Sequence, residues 1–369
     1  MDLAVIIVFV LGYFLITIEH NIKIDKLIPA LAAMAVCWAI IALNLDSIRE
    51  WFDPYTHKLV DGFASEALTI KSKYLENTLL YHLGKTAEIL VFLIGAMTIV
   101  EIIDYFNGFS VFQKIINLKT KKGILWVFSG LAFILSAIID NLTATIVLIS
   151  ILQKVVSNRN LRLWYAGIII IAANAGGAFS PFGDITTLMV WQKGVVDFQQ
   201  FFVLFFPSVV NWIIPAVIMS FAVSNEQPNA LNETATMKKG ALVVVVLFLM
   251  TITMAVCAHN FLHLPPVIGM MTGLGILKLY GYMIKMQDRR SAEILANDGE
   301  TPLSVEGIEE HKKPFNIFQQ LERAEWDTLM FFYGIILCVG GLGTIGYLTV
   351  GSQLMYGDLG ATNANILVG

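Results

Sequence analysis

The chain has 369 residues, of which 57% are apolar and 14% are charged, and its formal net charge is −4. This composition excludes a soluble domain of that size, because apolar runs of membrane-spanning length recur and the charges gather in short clusters between them. It also argues against nucleic-acid binding, since Lys and Arg stand in twos and threes beside apolar segments instead of along one face. We therefore expect the lipid bilayer as a partner and no nucleic acid.

The apolar runs predict a series of membrane helices. They lie roughly at 3–18, 27–45, 86–105, 124–152, 161–179, 201–223, 240–259, 264–284 and 328–350. The first helix is expected to be retained, because no basic leader or small-residue cleavage site accompanies it. Polar connections are predicted at 46–85 and 285–325, the second as a cytoplasmic loop with an amphipathic stretch near Phe315 to Leu321. The sequence therefore predicts an all-α polytopic membrane protein.

Segment 124–152 is too long for one ordinary crossing and is flanked by basic residues at both ends. Its centre, from Ser136 to Thr143, places a charge and hydrogen-bonding side chains where mid-membrane depth is expected. These facts predict a re-entrant hairpin (about 124–157) that turns at Asp140-Asn141 and returns to the cytoplasmic side. The alternative is one long tilted helix, which would place basic flanks on both membrane faces.

The following apolar segment changes character in N-A-G-G-A-F-S-P-F-G-D-I-T-T, residues 174–187. Two adjacent glycines, a proline and a Gly-Asp pair do not sustain an unbroken helix. Irregular backbone at membrane depth is tolerated only where protein buries it or a watery cavity meets it. The pattern predicts a discontinuous helix (about 161–192) of the kind that secondary transporters use, with the hairpin tip as its partner.

Two intramembrane carboxylates, Asp140 and Asp184, are the strongest functional candidates. A charge at the bilayer centre costs about 2.5 kcal/mol or more, so it is retained for a reason. Neutral oxygen-bearing side chains accompany them, namely Ser136, Asn141 and Thr143 near the first and Asn174, Ser180, Thr186 and Thr187 near the second. Hard cations prefer such oxygen ligands, and broken helices add carbonyls. The sequence therefore predicts that Asp140 and Asp184 bind a transported metal ion, Na⁺ or Li⁺.

Burial and a neighbouring like charge both raise the pKa of a carboxylic acid, so that one group can hold either a proton or a cation near neutral pH. Competition of this kind, at a site open alternately to the two sides, is sufficient for antiport. Glu101 and Glu88 are possible accessory residues, although charges at the membrane interface are the simpler interpretation. No catalytic residue and no cofactor are expected, since Na⁺, Li⁺ and H⁺ are the transported ions.

Three motifs carry a family resemblance: S-A-I-I-D-N-L-T-A-T-I (136–146), A-A-N-A-G-G-A-F-S-P-F-G-D-I-T-T-L (172–188) and E-W-D-T-L-M-F-F (325–332). With them the chain resembles NhaD-type sodium/proton antiporters, members of the ion-transporter superfamily that also holds arsenite and dicarboxylate carriers. The resemblance implies an inverted-repeat fold, a homodimer, and efflux of Na⁺ or Li⁺ driven by inward protons. It implicates Asp140, Asp184, Thr186 and Thr187 in transport.

On this resemblance, residues 1–223 form the first repeat and residues 224–369 start the second, which is expected to be incomplete because the sequence stops where a second hairpin would begin. A multi-pass protein of the bacterial inner membrane is expected. One alternative is an anion transporter of the same superfamily, whose hairpin tips are expected to be neutral because two carboxylates would repel a dicarboxylate. The other alternative is a membrane subunit that transports nothing.

Overall fold

The computed structural model describes residues 2–56, 58–109, 120–223, 240–297 and 321–368. Within these residues the regular structure is helical, apart from one antiparallel strand pair, Phe52–Asp53 with Lys58–Leu59. Six of the described helices are long and apolar enough to cross a membrane. They are Leu68–Tyr105, Arg159–Ala178, Phe198–Ala222, Ala241–Leu262, Pro266–Ile284 and Trp326–Thr344. The chain is an all-α polytopic membrane protein, as predicted.

The α-helices in chain order are α1 (Asp2–Thr17), α2 (Glu19–Ile22), α3 (Leu27–Leu43), α4 (Leu68–Tyr105), α5 (Lys121–Ser136), α6 (Asn141–Val155), α7 (Arg159–Ala178), α8 (Ile185–Gln192), α9 (Phe205–Ala222), α10 (Ala241–Leu262), α11 (Pro266–Asn297), α12 (Trp326–Thr344), α13 (Tyr347–Ser352) and α14 (Ala361–Val368). Short 3₁₀ segments cover Leu45–Ser47, Phe63–Ser65 and Phe198–Leu204, and a π-helical turn covers Gln353–Asp358.

By contacts the chain divides into one unit of residues 1–90 with 325–369 and a second unit of residues 91–324. The repeat boundary near residue 223 concerns internal symmetry and stays a prediction.

In the first unit, α3 packs along α12 through small residues. Gly334 lies against the backbone of Ala30, where an added Cβ would come within 2.8 Å of its carbonyl carbon. The buried thiols of Cys37 and Cys338 lie 3.4 Å apart between the two helices. Close backbone approach of this kind is how helices associate where hydrocarbon removes the hydrophobic driving force between them.

Helix α4 begins at Leu68, so the prediction of a polar connection as far as residue 85 is wrong. Charged residues in the first turns of α4 lower the hydropathy there, so hydropathy alone did not predict a helix. The side chain of Lys71 is 1% exposed. Its ammonium donates to the carbonyl of Asp46 at 3.1 Å and lies 5.3 Å from the ring centre of Phe63. The loop before the helix therefore covers this cation, and a tertiary contact makes a polar sequence helical.

In the second unit, α7 is the central element, because α5, α6 and α9 all pack against it. Helices α10 and α11 form a separate close pair. At their contact, a Cβ on Gly273 would lie 2.1 Å from the side chain of Thr251, and one on Gly269 would lie 2.5 Å from the backbone of Ala255. These two glycines share one face of α11 at i, i+4 spacing, which lets the helix backbones approach.

Two further predictions differ from the structure. Helix α11 runs to Asn297, beyond the predicted end at 284, since the polar residues that follow are good helix formers and the next Gly and Pro are at 299 and 302. The rest of the predicted loop to residue 320, including most of the amphipathic stretch, lies outside the described residues. Helix α12 ends at Thr344 instead of 350, because Gly346 has a left-handed φ of 83° and starts a new turn.

Candidate cation-binding site

Two helix breaks create the candidate site in the second unit. The first tip is residues 137–140, between α5 and α6, and the second tip is residues 179–184, between α7 and α8. Each tip ends in an aspartate that is the N-cap of the next helix, Asp140 for α6 and Asp184 for α8. Asp is favoured at this position because its carboxylate accepts from first-turn N–H groups and complements the positive end of the helix dipole.

The first tip satisfies its carboxylate locally. One oxygen of Asp140 accepts from the backbone N–H of Thr143 at 2.9 Å. The other oxygen accepts from the hydroxyl of the same threonine at 2.5 Å. The predicted ligand Thr143 is thus a direct partner of Asp140, and the pair forms a self-contained turn.

In the second tip, only part of the hydrogen bonding to the carboxylate comes from the helix that it caps. One oxygen of Asp184, Oδ1, accepts from both the backbone N–H and the hydroxyl of Thr186, each at 2.8 Å. The hydroxyl of Thr187 donates to the carbonyl of Asp184 at 2.8 Å. Both predicted threonines therefore lie within hydrogen-bond distance of Asp184.

Asn141 joins the two tips. Its backbone N–H donates to the carbonyl of Gly183 at 3.0 Å. Its side-chain amide donates to Oδ2 of Asp184 at 2.9 Å and to the amide oxygen of Asn174 at 3.0 Å. The structure thus brings together residues that are 33 and 43 positions apart in the sequence. Half-buried Asp140 and Asp184 both lie beside this bridge.

Three glycines allow this approach. A Cβ on Gly176 would lie 2.0 Å from the carbonyl oxygen of Phe133, and a Cβ on Gly183 would lie 2.4 Å from Gly177 and 2.5 Å from the carbonyl of Ser136. Backbone therefore meets backbone where α5 ends, where α7 ends and where the second tip turns. The hydroxyl of Ser136, in a residue that is 0% exposed, has no hydrogen-bond partner among the described residues.

A cavity of about 30 Å³ opens beside both carboxylates. Apart from Asp140 and Asp184 its walls are apolar: Phe92, Leu93, Ala96, Met97 and Val100 of α4, Ile138 and Ile139 of the first tip, Phe182, Ile185 and Leu188, Phe248 and Ile252 of α10, and Met270 of α11. A space of this size holds a water molecule or a bare alkali cation. Its apolar walls lower the local dielectric constant, which strengthens the electrostatic attraction of a carboxylate for any cation inside.

The remaining predicted ligands lie at the edges of this arrangement. Ser180 is 8% exposed, and its hydroxyl accepts from the backbone N–H of Phe182 at 3.2 Å, so it shapes the second tip. Asn174 is exposed, and its amide donates to the carbonyl of Ile170 at 2.8 Å while its oxygen accepts from Asn141. Sequence reasoning missed the cavity walls on α4, α10 and α11, for which only uniform hydrophobicity was available as a signal.

The two accessory candidates have basic neighbours. Glu88 lies within α4, where its carboxylate is 3.2 Å from the ammonium of Lys85. Glu101 lies near the end of α4, 3.9 Å from the guanidinium of Arg323. Neither residue is among those that line the described cavity. Their accessory role stays a prediction.

The known proteins that resemble this chain are membrane transporters. A family model described as citrate transporter matches residues 13–296. The Na⁺/H⁺ antiporter NhaD of Alkalimonas amylolytica is 39% identical, over 99% of this chain and 72% of that protein. The chain belongs to the NhaD family of membrane transporters. The Na⁺/H⁺ antiporter NhaD of Vibrio cholerae is 38% identical, again over 99% of this chain and over 73% of its own length.

A more distant relative is the sodium/proton antiporter 2 of Arabidopsis thaliana, which is 28% identical over 93% of this NhaD-type chain and 73% of that protein. Both tips lie within the part of the chain that the family model matches. The resemblance seen in the three sequence motifs is therefore confirmed at the level of the family. The roles of individual residues stay predictions.

Proposed function

We propose that this NhaD-family protein exchanges Na⁺ or Li⁺ for H⁺ across the membrane. The observation that carries the proposal is the hydrogen-bonded joint between two helix breaks, in which Asn141 links one aspartate-capped helix to the carboxylate of the other, Asp184. A cation bound beside the small cavity would meet oxygens from both tips. The named functions of the NhaD relatives support the same exchange.

In the proposed reaction, cation and proton compete for the oxygens of Asp140 and Asp184. The amide of Asn141 donates through its nitrogen to Asp184, so its oxygen is available to face a cation. The hydroxyl of Ser136 offers a further buried oxygen that is unpartnered among the described residues. Carboxylate, amide, hydroxyl and carbonyl oxygens form the ligand set that hard cations prefer. Protonation of a carboxylate removes the charge that holds the cation and releases it.

The family model is described as a citrate transporter, which makes an anion the second candidate substrate. Helix N-termini bind anions through their free N–H groups and dipoles. Here the first-turn N–H groups of Thr143 and Thr186 already donate to Asp140 and Asp184. A tricarboxylate would therefore meet carboxylates at both helix ends. This geometry favours a cation.

The test is transport in proteoliposomes that hold a pH gradient, followed with a pH-sensitive dye after addition of Na⁺, Li⁺, K⁺ or citrate. We expect Na⁺ or Li⁺ to dissipate the gradient. Asp140→Asn and Asp184→Asn are expected to abolish the response while the protein stays folded, because Asn is also a good N-cap. A second sample, extended with the C-terminal part of the Alkalimonas relative, tests whether the 369-residue chain transports by itself.

Two results would contradict the proposal. A response to citrate alone in both samples would make the protein an anion carrier. Transport of Na⁺ that survives both Asn substitutions would show that the aspartates are only helix caps.

We also propose a bacterial inner-membrane location and a homodimer. The location is supported by the bacterial sources of the NhaD relatives and by the multi-pass architecture. The dimer rests on the family resemblance. Membrane fractionation tests the first proposal, and cross-linking in native membranes tests the second. The proposed exchange needs no cofactor beyond the transported ions.

A further inference from the structure

Gln192, the last residue of α8, is buried without a partner. It is 7% exposed, and neither its amide nitrogen nor its amide oxygen has a hydrogen-bond partner among the described residues. The adjacent Trp191 is 1% exposed, and its indole N–H is equally unpartnered there. Buried polar atoms are almost always paired with protein or with ordered water, so this amide is a candidate to bind water or a hydrated ion.

The position of Gln192 relates it to the candidate site. Ile185, Leu188 and Gln192 stand at i, i+3 and i+7, so they share one face of α8. The first two line the cavity beside Asp140 and Asp184. Gln192 is therefore the next side chain along the cavity-lining face, about 6 Å beyond Leu188 along the helix axis. After it the chain reaches the exposed residues Lys193 and Gly194.

The side chains of Gln192 and Trp191, here called the Gln192 corner, have the chemistry to bind a hydrated cation. An amide oxygen is a hard ligand for alkali cations, and the amide and indole N–H groups are donors to water. The amide and the indole are both uncharged, so they would bind a cation more weakly than the two carboxylates do and would allow it to leave. Leu188, which is 2% exposed, stands between the corner and the carboxylates. A leucine at position 192 would fill a similar volume with no unpaired polar atom.

We infer that Gln192 is a second polar station for the transported cation, binding partly hydrated Na⁺ or Li⁺ between Asp184 and the membrane surface at Lys193. Leu188 is the apolar constriction that separates this station from the carboxylates. The inference rests on the proposed cation exchange. On this inference the cation reaches the two aspartates along α8, from its C-terminal end at Lys193; the aspartates alone do not indicate this path.

The first test compares wild type with Gln192→Leu in the proteoliposome assay and in thermal unfolding with and without Na⁺. We expect the apparent KM for Na⁺ to rise about tenfold or the maximal rate to fall by a similar factor, which is about 1.4 kcal/mol. The stabilisation of the folded protein by Na⁺ should persist, since Asp140 and Asp184 are unchanged. Gln192→Asn, which keeps a shorter amide, should recover part of the activity.

The outcomes separate this inference from the proposed function. If wild type shows no response to Na⁺ or Li⁺, the proposed exchange itself fails. If wild type transports and Gln192→Leu transports equally well with a higher unfolding temperature, then Gln192 is only an unpaired core residue. In that case the exchange stands and the inference is overturned.

The second test measures water access and does not depend on transport. In a Cys257→Ala background, which removes the exposed thiol and keeps the two buried ones, Gln192→Cys is treated with a cationic methanethiosulfonate. We expect rapid modification that Na⁺ slows several-fold. Val190→Cys is the matched control, because position 190 has nearly the same depth, is 37% exposed and points away from the cavity-lining face. Modification that is slow at 192, or unaffected by Na⁺, would contradict the inference.

Discussion

The first and second tips are chemically alike and differently built. Both end in an aspartate that caps a helix, and both place a threonine in the first turn. In the first tip, both carboxylate oxygens of Asp140 accept hydrogen bonds from Thr143 of its own turn. In the second tip, the carboxylate of Asp184 divides its bonds between Thr186 of its own turn and Asn141 of the other tip.

The two tips also differ in how tightly the backbone before each aspartate is packed. The residue before Asp184 is Gly183, which touches Gly177 and the carbonyl of Ser136. The residue before Asp140 is Ile139, whose side chain lines the cavity. The second tip is therefore the joint on which the site is assembled, and the first tip is a capped turn that the joint holds. Substitutions that crowd the backbone or remove the bond between the tips should therefore be the most damaging, and both kinds concern the joint.

The largest effect is expected from Gly183→Ala. The new methyl group would lie 2.4 Å from the backbone of Gly177 and 2.5 Å from that of Ser136, and backbone cannot move aside cheaply. The carbonyl that accepts from Asn141 would shift with it. We expect a loss of about 3 kcal/mol in the free energy of unfolding, the upper end of the range for overpacking, measured in mixed micelles, together with loss of transport.

The control for the steric argument is Gly167→Ala in α7. Among the described residues its Cβ would have only the methyl group of Met219 as a neighbour, at 4.0 Å. Replacing a helical glycine by alanine should then stabilise by roughly 0.5–1 kcal/mol. If Gly183→Ala behaves like this control, the second tip is not the tight joint described above.

The next effect concerns the bond between the tips. In a double-mutant cycle, Asn141→Ala and Asp184→Ala should show a coupling of about 1.5–3 kcal/mol, because they remove the two ends of one hydrogen bond to a charged group. The same cycle with Asn141→Ala and Asp140→Ala should show a much smaller coupling. The measurement is the free energy of unfolding of each variant in mixed micelles. Equal coupling in the two cycles would remove the distinction between the tips.

The positions of both breaks could be predicted from sequence, because charge, Gly and Pro inside apolar segments are incompatible with an unbroken membrane helix. The prediction that Thr143 lies near Asp140, and Thr186 and Thr187 near Asp184, needed only local spacing. The bridge from Asn141 to Asn174 and Asp184 could not be derived, since it depends on how α5 and α7 pack.

Errors arose where tertiary contacts or helix propensity override hydropathy. The start of α4 is polar in sequence, yet Lys71 is buried under its preceding loop. The polar end of α11 remains helical past 284 since no breaker intervenes. In sequence, cavity walls such as Phe248 and Met270 look like any lipid-facing residue, and only the fold shows that they line the same cavity as Asp184.

A smaller effect should separate the two threonines. In Thr143→Val, one oxygen of Asp140 loses its hydroxyl donor, and no other donor reaches that oxygen among the described residues. In Thr186→Val, the same oxygen of Asp184 keeps the backbone N–H at 2.8 Å. We expect Thr143→Val to cost about 1–2 kcal/mol of unfolding free energy and Thr186→Val less than about 1 kcal/mol. The reverse order would show that Thr186 supports its tip more than Thr143 does.

The smallest effects are expected outside the two tips, at Glu88 and Glu101. Each pairs with a basic residue whose side chain is well exposed, 44% for Lys85 and 62% for Arg323, so water screens both pairs. Exposed ion pairs contribute roughly 0–1 kcal/mol. Glu88→Gln and Glu101→Gln should therefore leave the rate of Na⁺ transport and its KM within about twofold of wild type, a difference of about 0.4 kcal/mol. A tenfold change in KM for either variant would make that glutamate a ligand or guide for the cation, and the site would then extend along α4 beyond the two tips.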